Sequence, residues 1–110
     1  MSLEKVKKLK FEVKNRGKTI SIFLESSLGY FIYLELLENF YLNHEIYYHE
    51  LYLKVASTSS RQTFQKFIDR CIAENCIFTS ICKNDKRKLM LSISPQVVSD
   101  FENKFWNQLN

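Results

Sequence analysis

Two histidines, three cysteines and two clusters of amides and cations are the side chains of this chain with chemistry to offer. His44 and His49 are each followed by a glutamate, Glu45 and Glu50, residue types that serve zinc hydrolases. Their separation of five residues sets the imidazoles about 140° apart around a helix, so they cannot share an ion as an HExxH pair does. Both histidines are expected at the surface. Cys71, Cys76 and Cys82 contain no C-x-x-C pair. Cys71 and Cys76 fall where a core is expected, so they read as structural thiols rather than a metal or redox site. No nucleophile stands with a base and no carboxylates pair, so the chain is expected to be no enzyme and to need no cofactor or metal. The remaining clusters are Arg61, Gln62, Gln65 and Lys66, and then Lys83, Asp85, Lys86, Arg87 and Lys88. Arg can fork onto guanine and Gln onto adenine, while Lys and Arg neutralise phosphates.

The elements that must position those clusters run from Thr58 to Ser94. Ser59 and Ser60 are both good N-caps, because a short hydroxyl accepts from an orphan helical N–H. Gln62 stands three residues after Ser59, the capping-box spacing. Phe64, Phe67, Ile68 and Cys71 follow at i, i+3, i+4 and i+7 and draw one apolar stripe, leaving Arg61, Gln62, Gln65, Lys66 and Asp69 on the outward face. Asn75 is a suitable left-handed stop. Two strand-like runs come next, Ile77 to Cys82 and Leu89 to Ile93, joined by a turn, Lys83 to Lys88, that carries four cations and one carboxylate. A basic helix face beside a basic hairpin tip has a shape suited to duplex DNA.

Thr63 to Ile77 resembles the second helix of the helix-turn-helix in MarR-type winged-helix regulators. Asp85 to Ser94 is similar to that family's wing, with its D-x-R turn, and the SarA-like relatives share the same turn. Asn75 stands where the family usually has Gly, and Phe78, Thr79 and Ser80 replace residues that are often charged. The resemblance implies a recognition helix in the major groove, with Ser60, Arg61, Gln62, Gln65 and Lys66 nearest the base edges. It implies Arg87 in the minor groove with Asp85 orienting its guanidinium. Ser59, Ser60 and the helix N-terminus would meet phosphate, and so would Lys83, Lys86 and Lys88.

At 110 residues and 45% hydrophobic, the chain is expected to form one domain over 1–110. A formal charge of +4 and a pI near 9.0 fit an anionic partner without demanding one. No apolar run approaches the roughly 18 residues that span a bilayer, and the first residues do not form a signal peptide. Three cysteines, an odd number, argue for free thiols in a reducing compartment. The expectation is a cytoplasmic protein with no membrane partner.

Toward the N-terminus, Leu9, Phe11 and Val13 alternate with Lys8, Lys10 and Glu12, and Ile20, Ile22 and Leu24 alternate again. An N-terminal β-hairpin over 1–25 is therefore expected. The competing reading is an amphipathic helix, because Leu3, Val6 and Leu9 also share a helical face. Lys5, Lys7, Lys8 and Lys10 read as solvated charges. A first helix is expected over 28–42, with Phe31, Leu34, Leu37 and Tyr41 on its inner face. A second is expected over 44–55, capped by Asn43 and packed through Tyr47 or Tyr48, Leu51 and Val55. The winged helix-turn-helix would occupy 28–94, as a three-helix core with a β-hairpin wing. After it a C-terminal helix over 95–110 starts at Pro95 with Ser94 as N-cap. The class is α+β. Helix one and the last helix carry more aromatics than one small core can bury, which predicts a homodimer through Val98, Phe101, Phe105, Trp106 and Leu109, with helix one or the N-terminal hairpin as a further contact. Double-stranded DNA is the expected partner. A protein-interaction module on the same fold, or a replication or partition subunit, are the alternatives.

Overall fold

The computed structural model describes Leu3, Val6, residues 21–81 and residues 88–106, with 105 and 106 described by backbone alone. Within these bounds the chain is α+β. Its elements are α1 (Ser27–Leu42), β1 (Ile46–Tyr47), α2 (Tyr48–Val55), a 3-10 turn (Ala56–Thr58), α3 (Arg61–Ala73), β2 (Ile77–Ile81), β3 (Leu89–Ile93) and α4 (Pro95–Phe101), which passes into a π-helical turn (Glu102–Trp106). The three strands make one antiparallel sheet in the order β1-β3-β2.

Local chemistry accounts for each boundary. Ser26 accepts from Gly29 N at 3.1 Å and starts α1. Asn43 ends it with a φ of 55°, and the next amide, His44 N, closes back on Asn39 O at 2.9 Å. Asn43 was expected to cap the second helix and instead terminates the first. Ser60, not Ser59, caps α3 by accepting from Thr63 N at 3.2 Å. Asn75 leaves α3 at a φ of 62°, the left-handed stop its residue type allows. Ser94 accepts from Gln96 N at 3.2 Å, with Pro95 in the first turn of α4.

The core is built where these elements converge. Phe64, Ile68 and Cys71 of α3, Leu51 and Val55 of α2, and Ile46, Ile77, Leu91 and Ile93 of the sheet are all buried. From α1 come Leu28, Ile32, Tyr33, Leu36 and Leu37, and from α4 Val97 and Val98. α1 lies against β3 and α2, while α3 backs onto β2. A fully buried Phe or Leu contributes roughly 1.5–3 kcal/mol, so the α3 stripe alone is a large share of a small domain's stability. Phe23 stacks on Tyr33 at 5.2 Å and meets Phe67 edge-on at 6.0 Å, which seals the start of α1 against α3.

Three expectations are corrected. Residues 21–24 are helical, so the second strand of the N-terminal hairpin does not form there. Ile22 and Phe23 are both buried. Neighbours in a strand point to opposite faces, whereas neighbours in a helix can share one. Leu3 and Val6 are helical too, and the first expected strand lies outside the described residues. On α1, Phe31, Leu34 and Tyr41 are exposed rather than inward; the buried face runs through Leu28, Ile32, Tyr33 and Leu36. Finally, residues 44–47 are not helical: Ile46 pairs with Leu91 and Tyr47 with Met90 as a third strand, and α2 begins only at Tyr48.

Candidate nucleic-acid interface

The outward face of α3 holds Arg61, Gln62, Gln65, Lys66 and Asp69, all exposed, as its stripe required. Ser60 Oγ is engaged in the cap and donates to Thr63 Oγ1 at 3.0 Å, while Ser59 Oγ donates to Ser60 O at 3.3 Å. Arg70, on the far end of the helix, is bound by both carboxylate oxygens of Glu25, at 2.7 and 3.3 Å, with Glu74 at 3.6 Å. The hydrogen bond from Arg70 holds the Glu25 carboxyl below its ordinary range. That cation is neutralised and serves to tie residue 25 to α3.

Arg61 and Gln65 share a cleft of about 590 Å³ with residues of three other elements. Tyr48 and Glu50 reach it from α2, Tyr47 from β1, and Lys88 from the foot of the β2–β3 hairpin. The walls are aromatic and cationic together. The Arg61 guanidinium lies 5.3 Å from the centre of the Tyr52 ring, and Lys88 Nζ lies 5.0 Å from that of Tyr47. Tyr48 and Tyr52 both meet Phe64 edge-on, at 5.1 and 5.4 Å, so a buried ring of α3 fixes two tyrosines of α2. The Tyr48 hydroxyl donates to Gln65 Oε1, and Gln65 Nε2 donates to Asp69 Oδ1 at 3.0 Å. Burial raises the Tyr48 hydroxyl above the ordinary phenol range; the Arg61 charge pulls it back and Asp69 adds to the rise.

Of the residues expected at a DNA surface, Arg61, Gln65 and Lys88 are brought together in this cleft. Ser59, Ser60, Gln62 and Lys66 lie on or beside the same helix. Lys83, Asp85, Lys86 and Arg87 lie outside the described residues. Tyr47, Tyr48 and Tyr52 were missed. The available signal was three tyrosines within six residues, just ahead of a basic helix. His44 is exposed in the segment before β1, and His49 is exposed at the start of α2 with its ring 6.4 Å from that of Tyr52.

On α4, Val98 is buried in the protomer's own core. Phe101 meets Tyr33 and Tyr41 at 6.2 and 6.3 Å. The surface of both residues is thus largely used within the chain. The side chains of Phe105 and Trp106, and Leu109 altogether, lie outside the described residues. No helix among the described residues is long and apolar enough to cross a membrane. No protein-family model, curated protein or solved structure matches the chain.

Proposed function

We propose that this chain is a winged helix-turn-helix protein that binds double-stranded DNA sequence-specifically, as a transcriptional regulator. α3 would lie in the major groove and the β2–β3 hairpin would be the wing, with Arg87 in the adjacent minor groove. One relationship carries the reading: Arg61 and Gln65 at the mouth of α3 and Lys88 at the foot of the hairpin line a single cleft. Helix mouth and hairpin foot thus share one cleft, which supports a protein that straddles neighbouring grooves. Arg61 and Gln65 are the base-reading pair, while Lys66 and Lys88 supply phosphate contacts. Selection of bound duplexes from a random pool tests the reading. An enriched motif supports sequence-specific binding. No enrichment, with no salt-dependent binding to random duplex, overturns DNA binding.

A second reading, a protein-interaction module, is favoured by the outward apolar residues of α1. Phe31, Leu34, Phe40 and Leu42 are each at least two-fifths exposed. The same surface is the better candidate for a homodimer contact, since Val98 is committed to the core.

A further inference from the structure

We infer that the cleft between α2, α3 and the hairpin foot takes one unpaired nucleotide of DNA, its base against the tyrosine wall and its phosphate at Lys88. The inference rests on the DNA-binding reading and adds to it a preference among DNA substrates. Base pairs inside a duplex show a protein only their edges, which polar side-chain ends can read without any ring. An unpaired base also shows its face, and aromatic side chains are what bind faces. This cleft holds both kinds of group. Tyr47 and Tyr48 line it beside Arg61 and Lys88, and its volume of about 590 Å³ accommodates a base with its sugar and phosphate.

The arrangement is set before any ligand arrives. Phe64, fully buried, meets the rings of Tyr48 and Tyr52 edge-on. Tyr52 in turn lies under the Arg61 guanidinium, and Tyr47 under the Lys88 ammonium. Side chains already held in place lose little rotamer freedom on binding. Charge then orients the nucleotide. Glu50 lines the cleft from α2 and opposes a phosphate, but its carboxylate accepts from the exocyclic amine of a base. The phosphate therefore belongs on the side of Lys88, and the base on the side of α2.

The test measures binding of the full chain to three fluorescently labelled DNAs at one salt concentration: a blunt duplex, the same duplex with a single-nucleotide bulge, and the same duplex with a short overhang. Stacking one base on an aromatic wall is worth at least about a fivefold gain in affinity. The expected result is that bulged and overhanging duplexes bind at least about fivefold tighter than the blunt one, and that Tyr48→Ala removes this gain. Since Tyr48 also packs on Phe64 and donates to Gln65, a second measurement uses the unsubstituted protein. 2-Aminopurine as the unpaired base of the overhang loses emission when it seats on the rings. Equal affinity for all three DNAs, or unchanged 2-aminopurine emission on binding, overturns the inference and leaves duplex binding standing. Failure to bind any of the three overturns both.

Discussion

The Tyr48 hydroxyl donates to the carboxamide oxygen of Gln65, and the same carboxamide donates from its nitrogen to Asp69. Both ends of the amide are occupied, so α2 sets the orientation of a side chain on the outward face of α3. Burial keeps the phenol protonated well above neutrality, so the donor is present throughout the physiological range. Tyr48→Phe should lower stability to chemical denaturation by about 0.5–1 kcal/mol, the lower part of the range for a hydrogen bond, because the bond is partly open to water. In selection from random duplexes it should also weaken base preference at the position Gln65 contacts. A variant as stable and as selective as the parent would show that the bond does not operate in solution.

Gly29 sets a test in which two effects oppose each other. Gly→Ala in a helix interior ordinarily gains about 1 kcal/mol. Here a Cβ would stand 2.7 Å from the carbonyl oxygen of Phe23 and 3.0 Å from the ring of Phe67. The backbone oxygen cannot yield as a flexible side chain would, so overpacking at about 1–3 kcal/mol should win. Gly29→Ala is expected to lower the thermal midpoint, and a raised midpoint would contradict the close approach of residue 23 to α1.

Arg61 and Lys88 should separate by kind of contact. Lys88→Ala should weaken DNA binding for all sequences alike and reduce the dependence of log K on log salt by about one phosphate's worth. Arg61→Ala should weaken binding and also relax sequence preference, by about 1–3 kcal/mol at the position read. Titrations on matched and mismatched duplexes at several salt concentrations distinguish them. Identical behaviour of the two variants would remove the base-reading role from Arg61.

The core thiols predict a response to alkali. Burial pushes the Cys76 thiol up to about 11, helped by Glu74, and lifts Cys71 higher still, with Cys76 adding to that rise. Unfolded thiols ionise near pH 8.5. Between about pH 8.5 and the raised folded values, the unfolded chain releases protons that the folded chain keeps, so stability falls as pH rises. Below that window these groups contribute no slope. Tyr33, raised by burial and then by Asp100, acts in the same direction at higher pH. The thermal midpoint should decline from about pH 9 upward. In peptide mapping after iodoacetamide treatment at pH 8, Cys71 and Cys76 should label slowly unless urea is present. Rapid labelling of both in the native protein would place them at the surface.

Substitution on α1 addresses assembly. If a second copy covers the outward face, Phe31→Asp with Leu34→Asp should convert a species of twice the 13.2 kDa chain mass to one of that mass in sedimentation. Both side chains are exposed, so the fold should survive the change. A parent already sedimenting as a single chain would rule out the homodimer.

What could be read from sequence followed the strength of each periodic signal. In α3 the apolar residues Phe64, Ile68 and Cys71 are separated by polar ones, so only one helical face could be buried, and that is the face found. In α1 apolar residues occupy nearly every side, from Leu28 through Leu42, and periodicity cannot choose among them. The choice was made by contact with β3 and α2, and it left Phe31 and Leu34 outside. β1 has two residues, too few to show any alternation, and exists because Ile46 and Tyr47 pair with β3. Of the candidate site, the cations and amides were legible from residue type and spacing. The tyrosines were not, because an aromatic that packs on Phe64 with one edge and faces a cleft with the other looks like an ordinary core residue in sequence.

Ser94 N donates to Cys76 O at 2.9 Å, at the point where the chain leaves α3 and enters α4. The polypeptide between those two positions departs and returns through one clasped neck. Beyond the clasp, Ile77, Leu91 and Ile93 belong to the core and β3 pairs with β1, so only the connection between β2 and β3 is open to exchange while the helices keep their seats. Evolution or an engineer could therefore retarget the hairpin's reach without renegotiating the rest of the protein.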